Sequence, residues 1–301
     1  MTKQINTKKI YSTTRHMIEV SPDSMIEFMN KHNRHEDTFQ SLVTLPACDG
    51  RVGDGGLRIK GYFKKSYSDK PLISIITVVF NGVSYLQETI ESVINQDYDN
   101  DEYIIIDGAS TDGTFDIIKK YDDKIDYWVS EPDNGIYDAM NKGISLCAGE
   151  IIGIINADDY YSNGALKNVK KEFSSNIDIL YSDFNFLDKE KVLTKTANHK
   201  LLDLTMSVFH PSVFIKKRIY KKYGRFDSSF KISADYKLLH SFYKKNLVFK
   251  RVSSQLSIMR VGGLSANSNL AIEETFHIQK ESSVVLAYIL KYLRLLKKSV
   301  K

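Results

Sequence analysis

A run of aliphatic residues that ends in two adjacent carboxylates constrains the fold of this chain more than any other segment. The run is Ile151-Ile152-Gly153-Ile154-Ile155, and Asn156-Ala157-Asp158-Asp159 follows it directly. An apolar run of this kind is typical of a parallel strand that is buried on both faces. Polar residues at the carboxyl end of such a strand lie where open α/β sheets bind ligands. The two carboxylates either begin a solvated turn or are neutralised by a divalent cation such as Mg²⁺ or Mn²⁺.

Segments with the composition of strands alternate with helical segments before this run. Leu72–Phe80, Tyr103–Asp107 and Tyr127–Ser130 are rich in β-branched and aromatic residues, and helical spacing follows the first two. The alternation predicts an α/β fold with a mostly parallel, doubly wound sheet over residues 71–182. Residues 183–265 are less regular, and they predict a half of α+β character that leans on the edge of the sheet.

The first 70 residues form an N-terminal extension whose role the sequence leaves open. Within it, Ser21–Met29 predicts a helix with a capping residue and a proline in its first turn. Asp49–Gly56 is a glycine-rich loop that is neither a dinucleotide fingerprint nor a P-loop. We predict that this loop is a turn that leads into short strands at Leu57–Ile59 and Tyr62–Lys64.

Residues 266–301 predict a helical, basic amphipathic tail. Apolar and basic side chains form two stripes at helical spacing, Leu286, Ile289, Leu290, Leu293 and Leu296 against Lys291, Arg294, Lys298 and Lys301. Such a helix either lies in the headgroup region of an anionic membrane or packs its apolar face onto the protein.

The bulk composition fits a globular protein, with 42% hydrophobic and 26% charged residues. The formal net charge of +5 is modest, so we expect no nucleic-acid partner. Cys48 and Cys147 are too few for a disulfide framework. No apolar run approaches the roughly 20 residues that span a bilayer. We therefore predict a cytoplasmic protein, and the membrane alternative for the tail places it on the inner face of the cell membrane.

Polar groups follow three of the predicted strands and indicate one ligand site. They belong to Phe80-Asn81, Asp107–Ser110 and Asn156–Asp159. A nucleotide fits there, because backbone groups and the Asp107 carboxylate can hydrogen-bond the edge of a base. Asp133–Gly143 adds a glycine-bearing turn before a helix, whose N-terminus and lysine favour an anion.

Four segments in this order resemble the family 2 glycosyltransferases of GT-A fold. They are Thr77–Asn81, Ile106–Thr114, Asn134–Gly143 and Asn156–Asp159. The resemblance covers Pro71–Val261 and is closest to bacterial enzymes that build cell-surface polysaccharides. It implies inverting transfer of a sugar from a nucleotide-diphosphate sugar, a UDP-sugar by expectation, with Mg²⁺ or Mn²⁺ as cofactor. The implied acceptor is a hydroxyl group of a glycan or of a lipid-linked oligosaccharide.

The resemblance also assigns roles to the two halves and to individual residues. Residues 71–182 become the nucleotide-sugar-binding half, and residues 183–265 become the half that carries the acceptor and the catalytic base. Asp158 and Asp159 match the metal-binding region, although Asn156 stands where many members have an aspartate. The expected contacts of the nucleotide-sugar are Val79, Phe80, Asn81, Asp107, Ser110, Asn134, Gly135, Asp138, Lys142, Asp158 and His210.

Asp235 matches the general base of the family, in the segment Ile232-Ser233-Ala234-Asp235-Tyr236. Ala234 stands where glutamate is common in the family. The alternative role for Asp235 is a first-turn carboxylate that interacts with the helix dipole. His210, which precedes Pro211, either contacts the diphosphate or the acceptor or is an ordinary core histidine.

Two other functions remain open at this point. A sugar nucleotidyltransferase usually carries a basic, glycine-rich loop after its first strand, and Asn81-Gly82-Val83-Ser84 lacks that character. A catalytically inactive GT-A-like binding module would have lost acidic residues, whereas Asp158, Asp159 and Asp235 are all present. An NAD-linked oxidoreductase is disfavoured, since no Gly-x-Gly-x-x-Gly motif follows Phe80.

Overall fold

The computed structural model describes residues 11–19, 21, 24, 42–189, 191–261 and 268–299. The helix predicted at Ser21–Met29 lies almost wholly outside these ranges, and Lys301 also lies outside them. The strands are β1 (Ile18–Glu19), β2 (Gly53–Gly55), β3 (Tyr62–Phe63), β4 (Ile73–Val79), β5 (Asp101–Asp107), β6 (Tyr127–Ser130), β7 (Ile151–Asn156), β8 (Tyr160–Tyr161), β9 (Ile179–Ser182), β10 (Phe184–Asp188), β11 (Lys191–Lys195), β12 (Val213–Lys216), β13 (Phe249–Val252) and β14 (Ser257–Arg260). The α-helices are α1 (Leu86–Ile94), α2 (Thr114–Lys120), α3 (Ile136–Leu146), α4 (Ala165–Glu172), α5 (Lys217–Tyr223), α6 (Ala234–Lys244), α7 (Asn269–Lys280) and α8 (Val284–Ser299).

The main sheet of the described residues has eight strands in the order β13-β9-β12-β7-β4-β5-β6-β2. The central neighbours β7–β4, β4–β5 and β5–β6 are parallel, as are β13 and β9. β12 runs antiparallel between β7 and β9, and β2 runs antiparallel along β6. The predicted α/β fold with a mostly parallel sheet is confirmed, and its antiparallel members lie outside the central four strands.

Helices cover both faces of this sheet, as the doubly wound prediction requires. Every residue of β4 and β5 is buried. Ile75 and Ile105 pack on one face with α1, α2 and α4, whereas Ile76 and Ile104 pack on the other with α3, α5 and α6. Removing each such side chain from water contributes about 1.5–3 kcal/mol, so the two apolar faces of the strands fix the layered architecture.

The glycine-rich loop of the extension differs from the prediction. It contains β2, which pairs antiparallel with β6 at the edge of the sheet. A Cβ at Gly55 would lie 2.6 Å from the indole ring of Trp128, so glycine permits this close approach. The predicted strand at Leu57–Ile59 is wrong, because this segment forms a turn closed by a 3.1 Å bond from the Lys60 amide to the Leu57 carbonyl. Such a turn is favoured by the flanking Gly56 and Gly61, both of which have positive φ.

This turn and β3 carry two basic side chains into the protein interior beneath β5. The Arg58 guanidinium lies 2.6 Å from a carboxylate oxygen of Glu102. Lys64 Nζ lies 2.8 Å from the Asp126 carboxylate and 2.5 Å from the carbonyl oxygen of Asp101. All five side chains are buried. This part of the extension therefore braces the amino end of the parallel strands.

The half of the chain after β9 mixes helices and strands, as predicted. β11, β10, β14 and β8 form a second sheet in that order. β14 pairs antiparallel with β8, which follows β7 closely in the chain. This pairing brings Arg260, the last residue of β14, next to the segment that follows β7.

The tail consists of α7 and α8, which pack against each other. Its basic side chains turn towards the protein: Lys291 pairs with Glu273 at 2.7 Å, and Arg294 donates to Gln279 Oε1 at 2.8 Å. Three of the five residues of the apolar stripe, Ile289, Leu293 and Leu296, are exposed, and so are Val285, Tyr288 and Tyr292 beside them. None of the helices within the described ranges combines the length and the hydropathy that a membrane span requires.

Candidate active site

The carboxyl ends of three parallel strands bring the predicted site segments together. Val79 of β4 pairs with Asp107 of β5, and Val78 pairs with Asn156 of β7. Neighbouring strands lie about 5 Å apart, so the loops after β4, β5 and β7 share one edge of the sheet. The predicted Ser130 end of β6 extends the same edge, since it pairs with Asp107.

The loops after β4 and β5 are fastened to each other. Asn81 and Ala109 both adopt left-handed backbone conformations, with φ of 52° and 61°. The Asn81 amide donates to Ser110 Oγ at 2.7 Å, and its side-chain oxygen accepts from the Thr111 amide at 3.0 Å. Phe80 is left 67% exposed beside them. The two loops are thus rigidly linked and present one aromatic ring to solvent.

Asp107 is fully buried, and its carboxylate is occupied by neighbouring donors. It accepts hydrogen bonds from the Ser110 amide at 3.1 Å, from Ser110 Oγ, and from Ser130 Oγ at 2.5 Å. Val79 is similarly engaged, since its carbonyl accepts from the Gly108 amide at 2.9 Å. These contacts make Asp107 the internal anchor of the β4 and β5 loops.

The turn before α3 carries acidic groups of its own. Asp138 accepts from the Asn134 amide at 3.1 Å, and Asp133 accepts from the Gly135 amide at 2.8 Å. Lys142 Nζ lies 2.9 Å from Glu131, a buried carboxylate that also pairs with an arginine. The amides that we predicted to hold an anion are therefore engaged by carboxylates of the same turn.

The two adjacent carboxylates after β7 have different surroundings. Asp158 is half-buried, and within the described part of the chain its carboxylate forms no hydrogen bond or ion pair. Asp159 is buried and accepts from the Arg260 amide at 3.1 Å and from Asn156 Nδ2 at 3.2 Å. Burial, together with the charge of Asp158, raises the pKa of Asp159 to about 7. Of these two carboxylates, that of Asp158 has oxygens free for an external ligand, as far as the described residues show.

Arg260 fixes the segment that holds these carboxylates. Its guanidinium donates to the Asp158 carbonyl and pairs with Glu88 of α1. It also lies 4.4 Å from the ring centre of Tyr85 and 5.2 Å from that of Tyr160. Sequence reasoning missed Arg260, because no local pattern connects β14 to the end of β7.

Asn156, His210 and Asp235 form a continuous series of hydrogen bonds. His210 Nε2 lies 3.1 Å from Asn156 Oδ1, and His210 Nδ1 lies 3.2 Å from Asp235 Oδ2. The His210 and Asp235 side chains are 16% and 14% exposed. His210 lies in a 3₁₀ turn before β12, and Asp235 lies in the first turn of α6. The antiparallel strand β12 thus brings the predicted histidine and base to the end of β7.

Tyr137 of α3 is a second residue that sequence reasoning missed. Its hydroxyl donates to the Ile232 carbonyl at 2.5 Å and lies 3.4 Å from Asp235 Oδ1. Burial and the nearby Asp235 charge raise the pKa of Tyr137, so the phenol stays protonated and remains a donor. The only sequence signal was its position beside Asp138, inside a segment already considered for binding.

The residues at this edge fit a metal ion that is shared with a phosphate ligand. Within the described ranges, no group of three or more histidine, cysteine or acidic residues could enclose an ion. Asp158 supplies one accessible carboxylate, and Mg²⁺ often takes one or two carboxylates together with substrate phosphates. The donor set is therefore suited to an ion that arrives with a diphosphate.

Residues 74–234 match the model of glycosyl transferase family 2, which is more than half of the 301-residue chain. The chain belongs to this family. An uncharacterised glycosyltransferase of Rickettsia typhi is 30% identical over 200 residues, which are 62% of this chain and 63% of that relative. TuaG of Bacillus subtilis, a putative teichuronic acid biosynthesis glycosyltransferase, is 35% identical over 101 residues, or 33% and 40%. The chain spans less than two thirds of the length of these relatives.

Solved structures with the same architecture also belong to glycosyltransferases. Residues 1–349 of Staphylococcus aureus TarS, in complex with UDP-GlcNAc, superpose with a TM-score of 0.56 at 18% identity, covering 68% of this chain and 64% of that chain. The mannosyltransferase PcManGT of Pyrobaculum calidifontis, in complex with GDP-Man and Mn²⁺, gives 0.55 at 18% identity, with 79% and 77% covered. At these identities the likeness shows the fold, and the GT-A prediction is confirmed.

Proposed function

We propose that this chain is an inverting glycosyltransferase that moves a sugar from a nucleotide-diphosphate sugar to a hydroxyl group. The observation that carries the proposal is the hydrogen-bonded series from Asp159 through Asn156 and His210 to Asp235. It joins the carboxylate pair at the ligand edge of the sheet to a third carboxylate on another helix. Activating a donor and deprotonating an acceptor require acidic groups that are held close together in this way.

Residues 71–182 form the donor half in this proposal. Phe80 and the linked loops after β4 and β5 accept the base, while Asp107 and Ser110 hold those loops in place. A UDP-sugar is the donor we propose, since TarS was crystallised with UDP-GlcNAc, and the GDP-Man complex of the mannosyltransferase makes guanine the competing base. In this proposal the residues of the turn before α3 give up hydrogen bonds within the protein and form hydrogen bonds to the donor. The further donor contacts that we propose are Val79, Asn81, Asn134, Gly135, Asp138 and Lys142.

Asp158 is the residue that we propose to hold Mg²⁺ or Mn²⁺, because its carboxylate is accessible and has no partner among the residues that the structure describes. A metal bound there with the diphosphate neutralises the charge that develops on the leaving group. Asp159 was paired with Asp158 as a ligand in the sequence-based prediction. We now propose that Asp159 positions the segment, since both of its oxygens are already hydrogen-bonded.

Asp235 acts as the general base in the proposed reaction. It takes the proton of the acceptor hydroxyl as that oxygen forms a bond to the anomeric carbon. The bond from the anomeric carbon to the diphosphate oxygen breaks on the opposite face, which inverts the configuration. His210 and Tyr137 orient the Asp235 carboxylate through their hydrogen bonds. Such a base contributes about 10²–10⁴-fold to the rate.

The acceptor that we propose is a hydroxyl group of a glycan or lipid-linked oligosaccharide used in bacterial surface polysaccharide synthesis. Residues 183–265 carry the base and therefore form the acceptor half. The similarity to TuaG, which is named for teichuronic acid biosynthesis, supports this class of acceptor.

A ligand screen with a turnover measurement tests the proposed function. The melting temperature is measured with UDP-, GDP-, dTDP- and CMP-sugars in the presence of Mn²⁺, because a ligand that binds the native state raises it. We expect the sugars of one nucleotide to raise the melting temperature. We also expect the protein to release the nucleotide from that donor, by hydrolysis or by transfer of the sugar to an added glycan. Pyrophosphate release from a nucleoside triphosphate and a sugar 1-phosphate would instead identify a nucleotidyltransferase. Binding without turnover on any acceptor would identify an inactive module.

We further propose that the outward face of α8 contacts an anionic membrane surface. Its exposed stripe includes Tyr288 and Tyr292, and tyrosine is enriched where a protein meets the headgroup region. The exposed Lys297 follows near the end of the helix and complements anionic lipid. Lys291 points towards Glu273 of α7, so it does not cover the apolar side of α8, which stays available to the membrane.

Vesicle sedimentation tests this surface. We expect the protein to sediment with phosphatidylglycerol vesicles and to remain in solution with phosphatidylcholine alone, and we expect Tyr288→Ser with Ile289→Ser to abolish sedimentation. A matched control is Val192→Ser with Leu193→Ser, an exposed apolar pair on β11. Equal sedimentation of both double variants would refute the assignment. A concentration-dependent dimer that is lost only in the α8 variant would assign the face to a second copy instead.

A further inference from the structure

A glutamate outside the family-matched region holds the segment that leads to the proposed base. Glu274 lies on α7, and its carboxylate is buried. It accepts hydrogen bonds from three successive backbone amides, those of Lys231 at 2.7 Å, Ile232 at 3.0 Å and Ser233 at 2.8 Å. A single side chain thus satisfies the whole turn that precedes α6.

This contact replaces a cap that α6 lacks. Ser233 stands at the N-cap position of α6, but its side chain forms no capping hydrogen bond. The amide groups at a helix start favour negative charge, which Glu274 supplies from another helix. Asp235 follows within the first turn of α6, only two residues after the last amide that Glu274 binds.

The helix α3 also holds this turn and the segment that precedes it. The Tyr137 hydroxyl donates to the Ile232 carbonyl, and the Asn141 side chain bonds both backbone groups of Phe226. Ile232 is therefore held by two helices: its amide donates to Glu274 of α7, and its carbonyl accepts from Tyr137 of α3. The position of the Asp235 carboxylate is determined by both helices together.

We infer that Glu274 is a positioning residue for Asp235, which makes the tail helix α7 a functional part of the active site. The inference rests on the proposed role of Asp235 as general base. Without Glu274 the three amides lose their partner, and the first turn of α6 shifts relative to His210 and the acceptor. A displacement of about 1 Å at a reacting group costs about 10²-fold in rate, even when its cause lies outside the site.

The experiment compares Glu274→Gln and Glu274→Ala with Glu273→Ala in the full chain. Glu273 neighbours Glu274 on α7 but is exposed and pairs with Lys291, so its removal controls for loss of a helix charge. We measure kcat and donor KM by nucleoside diphosphate release, first in the parent chain and then in the Asp235→Asn background. Hydrogen exchange of the peptide that contains residues 231–235 is followed in parallel.

We expect Glu274→Ala to lower kcat by about 10–100-fold with donor KM nearly unchanged, because the donor contacts lie on other loops. Glu274→Gln keeps one acceptor oxygen and is expected to lose less. In the Asp235→Asn background, the further loss should vanish, since two residues that act as a unit are not additive. Exchange at residues 231–235 should accelerate in both Glu274 variants and stay unchanged in Glu273→Ala.

Equal fold-losses with and without Asp235 would overturn the inference, and so would a parallel loss of donor binding. Unchanged hydrogen exchange at residues 231–235 would overturn it as well. Should the parent chain turn over no nucleotide-sugar, the proposed function fails, but the exchange measurement still decides whether Glu274 holds this turn.

Discussion

Acidic side chains at the two ends of the central parallel strands differ in how completely they are paired with other groups. At the amino end, Glu102 and Asp126 are buried in short ion pairs with Arg58 and Lys64, and the buried Asp101 lies beside them, its carbonyl accepting from Lys64. At the carboxyl end, the acidic residues Asp158 and Asp235 reach solvent, and Asp158 has no partner among the described residues. Ion pairing at the amino end serves the fold, whereas at the carboxyl end the Asp158 carboxylate is left available to a ligand.

The pKa values of Glu102 and Asp101 at the amino end depend on burial and on the neighbouring cations. Burial opposes ionisation of Glu102, but the charge of Arg58 and the hydrogen bond from Ser74 overcome it and lower the pKa of Glu102. Burial raises the pKa of Asp101 to about 7, since the charge of Lys64 only partly offsets the loss of water. The comparison therefore predicts that changes at the amino end alter stability, while changes at the carboxyl end alter turnover.

The largest expected effect is at Asp235. Asp235→Asn keeps the size of the side chain but removes the proton acceptor, so nucleoside diphosphate release should fall by about 10²–10⁴-fold. Donor affinity, measured by calorimetry, should remain within about twofold of the parent, because the donor contacts lie on other loops. Near-normal turnover would remove Asp235 as the base.

Whereas Asp235→Asn should lower turnover, Lys64→Met should lower stability. It leaves the Asp126 carboxylate buried without its cation, and breaking a buried pair in this way costs about 3–5 kcal/mol of unfolding free energy. Urea unfolding measures the loss, and calorimetry should show unchanged donor affinity. Lys65→Met is the matched control, since Lys65 is exposed. If the two variants lose equal stability, the buried network does not brace the sheet.

Chelation of divalent metal tests the proposed metal-binding role of Asp158 at the carboxyl end of the strands. EDTA should lower turnover by about 10²-fold, because a metal on a leaving diphosphate contributes several kcal/mol, and Mn²⁺ should restore it. Asp158→Asn should weaken the Mn²⁺ dependence without lowering the melting temperature. Full activity in chelator would end the metal role of Asp158.

The smallest expected effect concerns pH and Asp101. Its pKa is raised in the folded protein, so its contribution to stability is fully present at low pH and is lost as the pH rises through about 7. Between pH 5 and 8 this loss amounts to about 1–3 kcal/mol. Urea unfolding of Asp101→Asn should show a flatter dependence on pH than the parent. An unchanged slope would mean that Asp101 stays ionised.

The sequence predicted the elements whose patterns are local. The apolar runs of β4, β5 and β7 lie where periodicity and composition placed them. His210 and Asp235, to which the resemblance gave separate roles, lie 3.2 Å apart at the carboxyl edge. In each case the signal lay within one short segment.

The contacts that the sequence did not predict join residues far apart in the chain. Arg260 meets the segment after β7 across more than 100 residues, and Glu274 meets Ile232 across 42. No local pattern encodes such meetings, since they depend on how the second sheet and the tail pack. The wrong strand at Leu57–Ile59 has a local origin instead, because Gly56 and Gly61 favour a turn there.

A structure of the chain with a UDP-sugar and Mn²⁺ tests the central claim most directly. The account predicts the nucleotide at the carboxyl ends of β4 and β5, the metal on the Asp158 carboxylate, and the anomeric carbon between the diphosphate and Asp235. A nucleotide bound away from this edge of the sheet, or an anomeric carbon remote from Asp235, would contradict it.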